Sequence, residues 1–241
     1  MEITDKAAVV SGGGSGIGRA AVLALVGRGA KVIVADVDEA AAKETVDLAG
    51  KSGGIAIARR CDVTKTEDLA GAFACAQEHF GRFDIAFNNA GIGGGDLFGD
   101  EPGDWERIVD IDLTAVINAT RIAVREMRRA GRPGVIINTA SMGGLLPMPD
   151  SPVYAAAKAG VVNFSRSLGY LAADSNIRVN AICPSFVDTP LVRRGGEDRM
   201  HEVEKLVGGI LMPEDIAAGV IELIEDDSRF GAVMRVTVRG G

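Results

Sequence analysis

Seven short apolar runs alternate with longer segments of helical character, and this alternation constrains the fold more than any other feature of the chain. The runs are Ala7–Val10, Lys31–Ala35, Ile55–Ala58, Asp84–Phe87, Val135–Ile137, Arg178–Ile182 and Val233–Val238. Several are continuous and β-branched rather than alternating, as strands covered on both faces require. The helical segments are Gly16–Arg28, Glu39–Lys51, Lys65–Phe80, Pro102–Arg129, Pro152–Ala173 and Pro213–Ile224. Asp38 and Thr64 stand where N-caps belong, and Pro213 suits a first helical turn. The pattern predicts right-handed βαβ crossovers, an α/β, doubly wound parallel sheet with helices on both faces. No linker, repeat or low-complexity tract interrupts it, so residues 1–241 read as one domain.

Composition narrows the function classes. The net charge of −7 argues against nucleic acid as the partner, and 47% hydrophobic residues argue against disorder. Cys61, Cys75 and Cys183 are odd in number without C-x-x-C spacing, so they read as small buried apolar residues. His79 and His201 form no ligand motif, and no metal is expected. The segment Met1–Lys6 lacks the apolar stretch of a signal peptide, and no uncharged apolar run reaches the roughly 20 residues of a membrane span. A cytoplasmic protein without membrane partners is the expectation.

Two helical segments are apolar around most of their circumference. One carries Ile108, Val109, Ile111, Leu113, Val116, Ile117, Ile122, Ala123 and Val124; the other carries Ala155, Ala156, Ala157, Ala159, Val161, Val162 and Phe164. Such helices seek burial on every side. Either internal packing covers them, or a second copy of the chain does, through segments 102–129 and 152–173.

Glycine is in excess, 32 of 241 residues, where about 17 would be average. Eleven lie where predicted strands end: Gly12, Gly13, Gly14, Gly16, Gly18, Gly91, Gly93, Gly94, Gly95, Gly143 and Gly144. The first five belong to Ser11-Gly12-Gly13-Gly14-Ser15-Gly16-Ile17-Gly18, between a strand and a helix, where backbone can approach a pyrophosphate at a helix N-terminus. Asp36 ends the second strand, 18 residues beyond Gly18. A carboxylate there accepts hydrogen bonds from an adenosine ribose diol and repels a 2′-phosphate, which favours NAD over NADP.

Tyr154 and Lys158 lie four residues apart, on one face of a helix. A phenol is a poor base at neutral pH until a neighbouring cation stabilises the phenolate. Ser141 lies 13 residues upstream of Tyr154, just past a strand end that faces the ligand crevice, where its hydroxyl can hold a substrate oxygen.

The ordered set Gly12–Gly18, Asp62-Val63, Asn88-Asn89-Ala90-Gly91, Ser141, Tyr154-x-x-x-Lys158 and Pro184-x-x-Val187-x-Thr189 resembles the short-chain dehydrogenase/reductase family along nearly the whole chain. The resemblance implies a seven-stranded Rossmann sheet and NAD-linked hydride transfer between a secondary alcohol and its ketone. Tyr154 would be the general acid/base, Lys158 would favour the phenolate and bind the nicotinamide ribose, and Ser141 would orient substrate. Gly12, Ser15, Gly16, Ile17, Gly18 and Asp36 would hold the cofactor. Asp62 and Val63 would border the adenine. Asn89, Ala90 and Gly91 would support the central strand and cofactor. Pro184, Val187 and Thr189 would form the carboxamide loop. A homotetramer, or a homodimer, would use the two over-apolar helices.

The chain departs from the family pattern at three places. Asp112 occupies the position of an asparagine that, in the family, completes a proton relay from the lysine; either Asp112 takes part in that relay or alters its pH dependence, or it is a tolerated substitution without catalytic meaning. Ser185 replaces a common glycine. Arg239-Gly240-Gly241 lacks the usual preceding acid and, with Gly231–Met234, faintly resembles the prostaglandin-dehydrogenase-like branch. The expected substrate wall comprises Gly143, Leu146 and Met148 within 142–150, Phe186, and a lid at about 190–212 containing Arg193 and Arg194. Either this wall meets an apolar alcohol or ketone, or its residues pack on one another. Two rival functions stand beside the NAD dehydrogenase: an NADPH-linked carbonyl reductase, and a dinucleotide sensor or scaffold without turnover.

Overall fold

Valine- and isoleucine-rich runs can bury both faces only if helices cover each side, and the seven runs satisfy this by pairing in parallel. The computed structural model describes residues 1–94, 97, 104–193, 196, 200–201, 204–205 and 208–238. In chain order the strands are β1 (Ala7–Ser11), β2 (Lys31–Asp36), β3 (Ile55–Arg60), β4 (Ile85–Asn88), β5 (Gly134–Thr139), β6 (Ile177–Pro184) and β7 (Val233–Val236). They form one sheet in the order β3-β2-β1-β4-β5-β6-β7, with every pairing parallel. The order reverses direction between β1 and β4, the switch point at which open α/β sheets bind ligands.

The helices are α1 (Gly16–Gly27), α2 (Glu39–Lys51), α3 (Thr66–Phe80), α4 (Asp104–Val109), α5 (Ala115–Arg129), α6 (Pro152–Ser167), α7 (Leu171–Ser175), α8 (Pro190–Arg193) and α9 (Pro213–Glu225). Successive strand residues serve opposite faces. Val10, Val34 and Phe87 pack with Leu25, Ile216 and Val220, whereas Val9, Ile33 and Ile136 pack with Phe73, Ala123 and Met127. The sheet therefore carries an apolar layer on each side, as the continuous runs predict.

Local chemistry redraws several expected boundaries. Asp38 does cap α2, its side chain accepting from the Ala41 amide. Thr64 does not cap α3; its hydroxyl donates to Asp62 Oδ1, and Lys65 takes the N-cap position without a side-chain bond. The helix expected from Pro102 to Arg129 is broken by a π-turn at Asp110–Thr114, and residues 102–103 lie outside the described residues. The helix expected from Pro152 to Ala173 stops at Ser167 and restarts as α7. Gly169 interrupts it, where a Cβ would stand 3.3 Å from the Arg166 carbonyl and 3.4 Å from the Gly231 backbone.

Packing also absorbs much of the apolar surface of the two helical segments. Ile108, Val116, Ile122, Ala123, Ala157, Val161 and Val162 are buried within the chain. Trp105, Ile117, Ala156 and Ala159 remain exposed on the outside.

A buried amide network fixes α6 to the sheet. Asn88 Nδ2 donates to Asn138 Oδ1 at 2.8 Å across the β4–β5 pairing. Thr120 of α5 donates to the same oxygen at 3.2 Å, and Asn138 Nδ2 donates to Ser165 Oγ of α6 at 3.0 Å. Asn138 is completely buried, so removing it strands polar partners in the interior. We expect Asn138→Ala to cost about 2–3 kcal/mol, read as a lower denaturant midpoint with an unchanged m-value.

Candidate active site

The glycine-rich turn after β1 is shaped by close contacts that leave no room for side chains. A Cβ on Gly18 would lie 1.9 Å from the Gly12 carbonyl oxygen. Gly16 has a φ of +49°, and a Cβ there would lie 3.0 Å from Thr189 Cγ2. Thr189, on the loop after β6, therefore sits against the start of α1. Ser15, the N-cap of α1, makes no side-chain capping bond, and the first turn holds no acidic residue. The helix thus opens on free backbone N–H groups, an anion-binding arrangement.

Asp36 and Arg19 hold this turn from opposite sides. Asp36 Oδ2 accepts from the Gly14 amide at 2.8 Å, and Oδ1 accepts from the Asp38 amide at 3.0 Å. Arg19 Nη2 donates to the Gly14 carbonyl at 2.6 Å and pairs with Glu44 at 2.6 Å. The carboxylate is oriented by backbone donors and keeps lone pairs for a diol. Free N–H groups for an anion and a fixed carboxylate for a ribose, joined by bare backbone, fit a dinucleotide.

Asn89 ties the turn to the centre of the sheet. Its Nδ2 donates to the Ser11 and Gly12 carbonyls, each at 3.3 Å, and its amide donates to Ser11 Oγ at 3.0 Å. Ala90 donates to the same hydroxyl at 3.2 Å. Val63 and Ala90 meet Ile111 and Val116 around a small hollow. Asp62 lies at the end of β3 with its carboxyl lowered, chiefly by the Thr64 hydroxyl. Pro184 and Val187 are buried, and Val187 bridges to Leu211, which closes the base of the segment from 188 to 210.

Helix α6 presents Tyr154 and Lys158 together, as their spacing requires. Lys158 Nζ lies 5.6 Å from the Tyr154 ring centroid and donates to the Thr139 carbonyl at 3.1 Å. The lysine is buried, 3% exposed, so its direction is set by protein groups rather than by water. Ser141 follows β5 and accepts from the Gly143 amide at 3.0 Å, which leaves its hydroxyl proton for another oxygen. Cys183, at the base of the site, is a free buried thiol pushed up to about 11 by desolvation.

The π-turn turns Asp112 inward. Its side chain is fully buried, and Oδ1 accepts from the Ile92 amide at 2.9 Å and lies 3.8 Å from Lys158 Nζ. Oδ2 has no hydrogen-bond partner among the described residues. Burial pushes the carboxyl upward, against the opposing pull of Lys158 and the Ile92 amide. Gly91 lies directly above, where a Cβ would meet Asp112 Oδ1 at 2.9 Å.

On the substrate side, Met148 folds over Gly143, with Sδ 2.1 Å from where a Cβ would be. Phe186 is half-buried, and Leu145, Leu146 and Leu191 are exposed. Arg193 is exposed and forks onto Asp188. Gly95, Arg194, residues 195, 197–199, 202–203 and 206–207 of the expected lid, and Arg239–Gly241 lie outside the described residues.

Arg19, Thr45, Thr139 and Ile92 escape the sequence reading. Arg19 is legible only as one position beyond the glycine motif, and Thr45, whose hydroxyl accepts from Arg19 Nε at 3.1 Å and lies 3.3 Å from the Gly14 carbonyl, only as a polar residue on the apolar side of α2. Thr139 and Ile92 act through backbone atoms, which no side-chain pattern encodes.

Comparison with known proteins points to one family. A family model described as short chain dehydrogenase matches residues 6–200. The NAD(+) 15-hydroxyprostaglandin dehydrogenase of Bos taurus is 37% identical over 257 residues, covering 100% of this chain and 94% of the relative. Cyclohexanol dehydrogenase of Acinetobacter sp. (strain SE19) is 34% identical, covering 99% and 95% of the two chains. The crystal structure of a short-chain type dehydrogenase/reductase from Mycobacterium marinum superposes with a TM-score of 0.92 at 29% identity, over 98% of this chain and 95% of the other. Matched along nearly its full length, the chain belongs to the short-chain dehydrogenase family.

Proposed function

We propose that this chain is an NAD-dependent dehydrogenase that interconverts a secondary alcohol and its ketone, with residues 1–241 acting as one dinucleotide-binding domain. The observation that carries the reading is the Tyr154–Lys158 pair on α6, with Lys158 Nζ 5.6 Å from the ring centroid and fixed by the Thr139 carbonyl. NAD is supported by Asp36, whose oxygens are aimed by the Gly14 and Asp38 amides, and by relatives named for NAD(+).

The N–H groups opening α1 would hold the pyrophosphate, with Gly12, Ser15, Gly16, Ile17 and Gly18 shaping the cradle. Asp36 would accept from the adenosine ribose, and Asp62, Val63 and Ala90 would flank the adenine. Asn89 and Gly91 would support the cofactor from β4, and Pro184, Val187 and Thr189 would seat the carboxamide. When bound, the nicotinamide supplies the hydride acceptor or donor.

The chain supplies the proton chemistry. In the oxidation direction the Tyr154 phenolate takes the hydroxyl proton of the alcohol; in reduction the phenol returns it to the carbonyl oxygen. The Lys158 ammonium stabilises the negative phenolate oxygen by its charge. Ser141 donates its free hydroxyl proton to the substrate oxygen and holds it beside Tyr154. Gly143, Leu146, Met148 and Phe186, with Leu191 near Gly93, form a moderately apolar wall that suits an alicyclic or lipid-like alcohol. The segment at about 190–212 would close over it as a lid.

A second copy of the chain is the proposed cover for Trp105, Ile117, Ala156 and Ala159 on segments 102–129 and 152–173, giving a homodimer or homotetramer. Three unbridged cysteines fit a reducing, cytoplasmic setting.

Tyr154→Phe is expected to lower turnover by about 10²–10⁴-fold while leaving NAD affinity unchanged, measured by NADH absorbance over a panel of cyclic and acyclic secondary alcohols. NAD binding by the wild type without turnover of any alcohol in the panel would leave a dinucleotide sensor as the better reading, and turnover undiminished in Tyr154→Phe would remove Tyr154 from the general acid/base role. Asp36→Ala should weaken NAD binding about tenfold and narrow the preference over NADP in a titration with each cofactor. Placing a charge outside α6 with Ala159→Glu should dissociate the oligomer in analytical ultracentrifugation.

A further inference from the structure

The Asp112 carboxyl is the one buried side-chain group among the described residues with an oxygen that no donor satisfies. Its other oxygen is committed to the Ile92 amide at 2.9 Å, and Lys158 Nζ stands 3.8 Å from that same oxygen. The distance is too long for a direct hydrogen bond. Lys158 itself is held by the Thr139 carbonyl at 3.1 Å. The lysine is therefore positioned by a neutral carbonyl on one side and watched over by a carboxyl on the other. A permanently ionised carboxylate with an unsatisfied oxygen is costly in such a place, whereas a neutral acid costs far less.

Few charges compete for this group. The π-turn that carries it packs against α4, α5 and α6 and lies beneath Gly91. From α6 come Lys158 and, beyond it, the Tyr154 phenol; the loop after β4 contributes only the Ile92 amide. Lys158 is the only charged side chain among the described residues that acts appreciably on Asp112, and Asp110 on the same turn is exposed.

We propose that Asp112 is a positioning residue for Lys158 that takes up and releases a proton, so that its protonation state decides how much of the lysine charge reaches Tyr154. With the proton on, the ammonium is the unopposed charge beside the ring. As pH rises the proton leaves to solvent, and the carboxylate offsets part of that charge. The upward push of burial on this carboxyl agrees with a neutral acid at the acidic end of the working range. The catalytic consequence rests on the assignment of Tyr154 and Lys158 proposed above; the proton exchange itself does not.

Two measurements separate the inference from that assignment. The first is the melting temperature of cofactor-free wild-type and Asp112→Asn proteins across pH 4 to 8. A group whose folded pKa is raised takes up protons in the folded state, so its stability contribution falls as pH rises from the ordinary carboxylate value through the raised one. The advantage of Asp112→Asn over wild type should therefore grow with pH, by about 2–4 °C. A flat gap, or a wild type that gains on the variant, would overturn the proposal and make Asp112 an ordinary ion-pair partner. Should Asp112→Asn not fold, a carbon-13 titration of labelled aspartates in the wild-type protein reads the same quantity. A buried carboxyl titrating above the usual range supports the proposal, and its absence overturns it.

The second is the pH profile of kcat/KM for alcohol oxidation. Asp112→Asn should move the rising limb to lower pH by up to about one unit, because its side chain never offsets the lysine charge. A uniform loss of rate with an unmoved limb would reduce Asp112 to a structural role. Absence of turnover in wild type would count against the dehydrogenase assignment alone, since the melting curves need neither cofactor nor substrate.

Discussion

The hydrogen bond donated by Asn88 Nδ2 to Asn138 Oδ1, 2.8 Å long and buried between β4 and β5, is the interaction on which the site depends. Parallel strands put their C-terminal ends on one edge, but they do not by themselves fix how a helix lies over that edge. Asn138 does so by continuing to Ser165, whose hydroxyl donates to the Val161 carbonyl within α6. Two turns earlier on that helix is Lys158, and one turn before it Tyr154. The neighbouring residue Thr139 then accepts from Lys158. Strand register, helix placement and lysine direction are thus one connected system of hydrogen bonds in a low-dielectric interior, where each is strong and each would be expensive to leave unmade.

A similar economy governs the other half of the crevice. Asp36, Arg19 and Asn89 bind backbone atoms of the Gly12–Gly14 turn, so the cradle is held by side chains from β2, α1 and the end of β4. Thr189 closes against Gly16 from the far side of the switch point. The turn is consequently formed before any anion arrives, which spares binding the entropy of ordering a glycine-rich loop.

The π-turn at Asp110–Thr114 joins the two halves. An added residue in a helical turn re-aims the side chains that follow, a device common at functional positions. Here it sends a carboxyl beneath Gly91 and toward Lys158, so that a group on the α4–α5 segment acts on the charge of one on α6.

Much of this was legible in the residues. Continuous β-branched runs required a parallel sheet covered on both sides, because such strands have no face to offer water. The spacing of Tyr154 and Lys158 required a shared helix face. Gly18 had to lack a side chain wherever the chain turns so tightly onto its own Gly12 carbonyl. Other features did not follow from the pattern of residues. Thr64 is a plausible cap by position, yet its hydroxyl and amide both donate to Asp62 Oδ1 two residues back, a local turn that competes with helix capping. The helix from 102 to 129 reads as continuous because a π-turn leaves no mark on hydrophobic periodicity over five residues. Asp112 is visible in sequence as an acid in place of an amide. Its burial, its unsatisfied oxygen and its distance from Lys158 follow only from the packing of the π-turn against α6 and the loop after β4. Local pattern determined which elements form and which side chains share a face; the tertiary structure decided which buried groups find partners, since desolvation and charge act through space rather than along the chain.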